Sequence, residues 1–236
     1  MVETESPGGD RRVRTFDLSQ ASVREVNQYL HDLVIPEEVE ILEPRGAHAI
    51  ACGAMVAATV TIRGHAGYYC AGMNQLANIE VEGNVGTGVA ENMMSGTVRV
   101  RGNASQSAGA TAHGGLLVIH GDASARCAIS LKGADIVVGG SVGHMSAFMA
   151  QAGRLVICGD AGEALGDSIY EAEIFVRGRV AGLGADCVEK PLEPSDYEAL
   201  RGLLARAEVD ADPADFRRYG SARTLYHFHA DHAATY

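Results

Sequence analysis

The stretch IEVEGNVGTGVAENMMSGT, residues 79–97, sets three glycines, Gly83, Gly86 and Gly88, directly behind a run of alternating aliphatic residues. Read alone it resembles a phosphate-cradling loop. The glycine order is GxxGxG rather than GxGxxG, no GK[ST] follows, and no helical pattern follows. The sequence on either side supplies another explanation.

Gly64, Gly83, Gly102, Gly121, Gly140, Gly159 and Gly178 stand 19 residues apart. Two residues before them stand Ile62, Val81, Val100, Ile119, Val138, Ile157 and Val176; four before stand Val60, Ile79, Val98, Leu117, Ile136, Leu155 and Ile174. Both positions are aliphatic in every copy. The period of two within a copy predicts a short strand with one face inward. Small residues recur three, seven and thirteen positions after the glycine, as in Gly67, Ala71 and Ala77.

A fixed period of strands and tight turns predicts a solenoid. The expected fold is all-β: a right-handed parallel β-helix of about seven 19-residue turns with helical caps at both ends. Seven turns at about 4.8 Å make a rod roughly 30 Å long. On this reading the glycines of 79–97 are corner residues. A hexapeptide solenoid does not fit, because six does not divide 19. An earlier, imperfect turn is expected from Gly46, Cys52 and Met55, each 18 residues before Gly64, Cys70 and Met73.

The chain has 236 residues, 47% hydrophobic and 21% charged, with a formal net charge of −11. That balance disfavours nucleic-acid backbones and anionic membrane surfaces. No apolar run approaches the roughly 18 residues of a membrane span, and the charged start MVETESPGGDRRVRTF does not read as a secretory leader. Five cysteines without a CxxC are expected to be reduced thiols in a cytoplasmic protein.

Three segments follow: residues 1–36 as N-terminal extension and capping helix, 37–192 as the β-helix, and 193–236 as a C-terminal helical segment and tail. Ser22 and Glu25 have capping-box spacing ahead of a helix expected over 20–34. Ser195 and Glu198 offer a second box before Leu200, Leu203, Leu204 and Ala207, which share a helical face. Asp212-Pro213 is expected to start a short helical turn carrying Phe216 and Tyr219 and ending at Gly220.

The outward column three residues before each glycine reads Thr61, Glu80, Arg99, Val118, Val137, Val156, Phe175. Its four apolar members predict a cover, either the C-terminal helix or another subunit. Val118, Val137, Val156 and Phe175 are therefore candidate interface residues, with His227 and His229 of the tail TLYHFHADHAATY. Tyr68, Tyr69, Met73, Met93, Met94, Met145 and Met149 fall between the strands, as interface residues or gap fillers.

Candidate chemistry is sparse. The tail's His227, Asp231 and neighbours lack an HExxH frame for metal. Cys70 and Cys127 share a column but lie about 14 Å apart at the strand spacing, too far for a disulfide. His48, His65, His113, His120 and His144 share no column, no GxSxG is present, and Lys132 and Lys190 are the only lysines. No catalytic, cofactor-binding or metal residue is assigned.

The glycine-marked 19-residue repeat, over about residues 40–192, resembles the GXGXG domain at the C-terminal end of the glutamate synthase large subunit. The C subunit of formylmethanofuran dehydrogenase carries a similar domain. The ending PADFRRYGSARTLYHFHADHAATY is similar to that of stand-alone subunits of the N-methylglutamate synthase (methylamine–glutamate N-methyltransferase) type. The resemblance implies a non-catalytic scaffold subunit within a cytoplasmic hetero-oligomer. Its implied partners are a class II glutamine amidotransferase subunit and an FMN-binding synthase-type subunit. FMN and any iron–sulfur cluster would then reside in the partners. The formylmethanofuran dehydrogenase type is the alternative. An independent β-helix enzyme acting on an extended polymer is a third reading, which the absence of Trp and the 6% aromatic content disfavour.

Overall fold

The 19-residue period becomes the register of a parallel sheet. The structure, a computed structural model, describes residues 13–223. Strands β1 (Val13–Asp17), β2 (Glu38–Leu42), β3 (Thr59–Ile62), β4 (Asn78–Val81), β5 (Thr97–Val100), β6 (Leu116–Ile119), β7 (Lys132–Val138), β8 (Ala152–Ile157) and β9 (Glu173–Val176) lie side by side in chain order. Ile62 pairs with Val81, Val81 with Val100 and Val100 with Ile119, so each aliphatic column stacks on itself. Both columns are buried along their whole length. The result is a parallel β-solenoid of about seven turns.

A second line of contact runs two residues past the glycine. Ala66, Val85, Ala104, Ala123, Val142, Ala161 and Val180 bridge one another turn by turn. Between these lines the residue next to the glycine forms a polar ladder. His65 Nδ1 accepts the backbone N–H of Asn84, at 2.8 Å. Asn84 Oδ1 accepts from Asn103 N–H, Asn103 Oδ1 from Asp122 N–H, and Asp122 Oδ1 from Ser141 N–H. Ser141 Oγ then accepts from Asp160 N–H, and Asp160 Oδ1 from Arg179 N–H.

The ladder explains the glycine column. A Cβ on Gly83 would lie 2.6 Å from His65 Nδ1 and from the Gly64 carbonyl carbon, and one on Gly159 would meet Ser141 Oγ at 2.5 Å. Gly102, Gly121, Gly140 and Gly178 face the same obstruction. Of the seven, only Gly64 has a positive φ, +138°. Most of these corners therefore need glycine for space, not for backbone freedom.

Backbone freedom is needed in the arc that follows. Tyr69, Ala71 and Met73 all have φ between 54° and 57°, and equivalents in the next five turns repeat the alternation. Non-glycine residues in this region cost about 1 kcal/mol or more each. The arc is held by bonds to both neighbouring turns: Tyr69 N–H to Thr87 O, Ala71 N–H to Ile50 O and Met73 N–H to Glu91 O.

The earlier turn exists, with a different register. Glu38 pairs with Thr59, 21 residues on. Ala49, Ala51 and Gly53 repeat the positive φ of Tyr69, Ala71 and Met73 at a spacing of 20. Ile50, not Cys52, therefore stands beneath Cys70. Beyond it the sheet continues through β1, in the N-terminal extension ahead of the expected helix, where no strand was expected.

Both predicted capping helices form. Helix α1 (Val23–Asp32) has the Ser22–Glu25 capping box. It drops Val26 and Leu30 into the core, and its Asn27 and His31 side chains bond the carbonyls of Ala49 and Cys52. At the other end come β10 (Cys187–Lys190) and helix α2 (Pro194–Ala207). The α2 N-cap is Glu193, whose N–H donates to Asp196 Oδ2 at 2.7 Å, so Ser195 lies within the helix. The expected helical turn after Asp212 is confined to Pro213–Asp215. Tyr219 and Gly220 instead belong to β11 (Arg217–Ser221), which runs antiparallel between β9 and β10. Unpaired donors at the sheet's end outweigh the local turn signal, and Tyr219 fills the end of the core.

Helix α2 supplies the cover for the apolar outward column. Leu200, Leu203, Leu204 and Ala207 form one cluster with Val118, Val137, Val156, Phe175 and Phe216. A 14-residue helix is about 21 Å long, close to the roughly 19 Å from β5 to β9. Where the helix ends, the column turns polar. Arg99 donates to the carbonyls of Ala207 and Arg206 at 3.0 and 2.8 Å, satisfying the C-terminus. Arg101 pairs with Glu208 at 2.9 Å and with Glu80 at 2.5 Å. His120 Nε2 lies 3.1 Å from Arg101 Nη1 and 3.4 Å from Arg99 Nη1, so it accepts and its ring is neutral.

Asn103→Ala removes the acceptor for Asp122 N–H and should cost about 1 kcal/mol in urea denaturation. Gly102→Ala should cost more, because its Cβ strikes the Asn84 side chain. Burial, with the Arg101 and Arg99 charges behind it, lowers the His120 pKa from its usual 6.5. Its contribution to stability is thus present above pH 6.5 and is lost as pH falls through the folded value. His120→Gln keeps an acceptor and cannot take the proton. Urea midpoints at pH 7.5 and 5 should fall further in the parent than in this variant, and equal falls would refute the assignment.

Candidate functional site

The polar residues singled out in the sequence are mostly employed in holding the turns. His65 is a rung of the ladder. His48 stacks on Tyr68, with ring centroids 4.5 Å apart, and its Nδ1 accepts the Tyr68 N–H. His120 serves the α2 terminus. His113 and His144 are exposed on separate turns, as is Lys132. All five cysteines are free thiols. Burial pushes the Cys127 thiol up to about 12 and Cys187 up to about 11, and Cys70 higher still. Thiols so shifted are poor nucleophiles at neutral pH. Among the described residues no group of three His, Cys, Asp or Glu could hold a metal ion.

Two of the clefts lined by described residues carry polar side chains that bear on function. One of about 330 Å³ lies at the C-terminal end, lined by Tyr170, Glu173, Lys190, Arg218 and Arg223. Arg218 is tied to Glu173 at 2.5 Å and Arg223 to Asp186 at 2.5 Å, so these cations already have partners. The other, about 280 Å³, is the bare sheet face over β3–β5 beyond the end of α2, lined by Thr59, Thr61, Asn78, Glu80, Thr97 and Arg99. Its hydroxyls and amide make a flat polar floor.

The arcs carry a third feature. Met55, Tyr68, Tyr69, Met73, Leu76 and Met94 are each between 43% and 60% exposed. Backbone bonds join the adjacent turns that carry them. Met73 N–H reaches Glu91 O at 2.7 Å, Met94 N–H reaches Asn74 O at 2.8 Å, and Leu76 N–H reaches Ala54 O, next to Met55. The Glu91 carboxylate and the Tyr69 ring flank Gly88: a Cβ there would be 2.9 Å from Glu91 Oε2 and 3.0 Å from the ring. Glu91 is half-buried, and desolvation raises its pKa above 4.5.

The candidate interface column needs correction. Val118, Val137, Val156 and Phe175 are 0% exposed beneath α2, so they meet their own chain and not a partner. The apolar face of α2 matches theirs in length and takes the place offered to a second subunit. His227 and His229 lie outside the described residues. Of the sequence-predicted arc residues, Met93 is core, Met145 is partly buried, and Tyr68, Tyr69, Met73, Met94 and Met149 are exposed. The polar ladder and Glu91 were missed. The ladder was visible as a column of His, Asn, Asp and Ser one place past the glycine. Glu91 gave no signal, because its neighbours come from other turns.

No family model matches this sequence. Along its length the chain is similar to Protein GlxC of Rhizobium meliloti (strain 1021), with 55% identity over 225 residues, 94% of this chain and 99% of the relative. Identity at that level across nearly the whole of both chains means a shared fold and a shared repeat register, and the chain belongs to the Protein GlxC family.

Proposed function

We propose that this chain is a non-catalytic β-solenoid subunit of a split glutamate-synthase-like complex. Its partners would be a class II glutamine amidotransferase and an FMN-binding synthase-type subunit, and the product glutamate or N-methylglutamate. The observation that carries the reading is the use made of the polar columns. The ladder of His65, Asn84, Asn103, Asp122, Ser141 and Asp160 is spent on the backbone of the next turn. The arginines of the outer face bond helix α2 and neighbouring carboxylates. Side chains so committed make a rigid rod, and rigidity over about 30 Å is what a brace between two enzymes requires. The GXGXG-like repeat and the full-length match to the GlxC family support the same reading.

The chain would hold the amidotransferase against the synthase-type subunit, so that ammonia released from glutamine passes to the second site without escaping to solvent. Its own side chains would bind no flavin and no cluster. The aromatic, His-rich tail sequence favours this over the C subunit of a formylmethanofuran dehydrogenase-type complex.

The three proteins, co-expressed, should purify together as a yellow complex that makes glutamate or N-methylglutamate from glutamine. Omission of this chain should abolish glutamine-dependent synthesis while each partner keeps its half-reaction. Full glutamine-dependent synthesis without it would refute the scaffold role.

A further inference from the structure

We infer that the apolar arc surface around Tyr69 and Met73, beside Glu91, is where a partner subunit docks, and that the partner brings a basic side chain to Glu91. The inference rests on the reading above that this chain works in a hetero-oligomer. It names the face and the chemistry of the contact.

Three observations converge on this face. Six large apolar side chains, Met55, Tyr68, Tyr69, Met73, Leu76 and Met94, are about half exposed on adjacent turns. Contiguous patches of this kind mark contact surfaces, and Tyr and Met are favoured in the centres of interfaces. The opposite arrangement is seen on the sheet face, where the apolar column is closed by α2. Among the described residues, one apolar face is covered and this one is not.

The second observation is the carboxylate. Glu91 stands beside the Tyr69 ring, and its backbone carbonyl is bonded to Met73 N–H. It takes part in none of the ion pairs formed among the described residues. Acids along the sheet side of the rod are different: Glu40, Glu80, Glu82, Glu173 and Glu208 all meet an arginine. A desolvated acid inside an apolar patch is costly until a cation meets it. A partner's Lys or Arg would turn that cost into a charge-assisted bond within the contact.

The third observation bears on which partner. Among the described residues, the patch contains an acid and no lysine or arginine. A second copy docked through the same face would set one Glu91 facing apolar groups or the other Glu91. The contact therefore suits a different protein with an apolar surface and a cation within it.

Met73→Asp tests the apolar part without straining the backbone, because Asp tolerates the positive φ of 54° found at Met73. Glu91→Lys tests the charge, and Arg201→Ala, on the exposed side of helix α2, is the control. Thermal melts first confirm that each variant folds like the parent. Affinity for the co-expressed FMN-binding synthase-type and amidotransferase-type proteins of the same organism is then measured by interferometry on purified components. Met73→Asp and Glu91→Lys should each weaken binding to one of the two by about 10-fold or more, with Arg201→Ala unchanged. A parent that binds, with both patch variants binding equally well, would overturn the docking surface and leave the proposed function standing. A parent that binds neither partner would overturn both. Self-association of the parent in sedimentation, abolished by Met73→Asp, would assign the face to a second copy and overturn the inference.

Discussion

Each turn of the rod is fixed to the next by a side chain standing one residue past the marked glycine. In six consecutive turns that side chain accepts the backbone N–H of its own equivalent 19 residues later. The bond spans one turn only if every turn has the same length, so it fixes the period. It also places an oxygen or ring nitrogen where the next glycine would carry its Cβ. The most regular feature of the sequence is thus a consequence of an interaction between turns. Gly64, whose Cβ would meet Pro44 instead of a ladder side chain, is the one marked glycine with a positive φ.

From that constraint the other faces follow. With the period fixed, the aliphatic columns stack into a continuous core, and the arcs are held in alternating left-handed conformation by bonds to both neighbouring turns. The outer sheet face becomes a flat stripe whose composition changes along the rod. Where it is apolar, α2 lies on it; where it becomes polar, Arg99 and Arg101 receive the end of the helix. The helix length and the length of the apolar stripe agree because each is bounded by the same switch from Val118 to Arg99.

Caps at the two ends are built differently. At the N-terminal end, α1 plugs the core with Val26 and Leu30 and satisfies two carbonyls of the first arc through Asn27 and His31. At the C-terminal end, the returning strand β11 pairs with β9 and β10 and buries Tyr219. Unpaired sheet edges invite other strands, and an antiparallel return is a cheaper closure than another 19-residue turn. The repeat can stop there without exposing the core.

The sequence by itself determined the solenoid, its period, its two inward columns and the existence of both helices, because these depend on contacts between equivalent residues at one fixed spacing. The amphipathic face of α2 was legible for the same reason: Leu200, Leu203, Leu204 and Ala207 are local in the chain. Only the tertiary structure decided which cover lay on Val118, Val137, Val156 and Phe175, since a subunit and a helix of the same chain present the same apolar chemistry. It also decided the 20- to 21-residue register of the first turn, where Cys52 matches Cys70 by letter but Ala51 matches Ala71 by conformation. The β11 return and the lack of an ion pair at Glu91 among the described residues were hidden likewise. Each depends on groups brought together from distant turns, and no local pattern of residues records whether a strand edge or a carboxylate will find a partner.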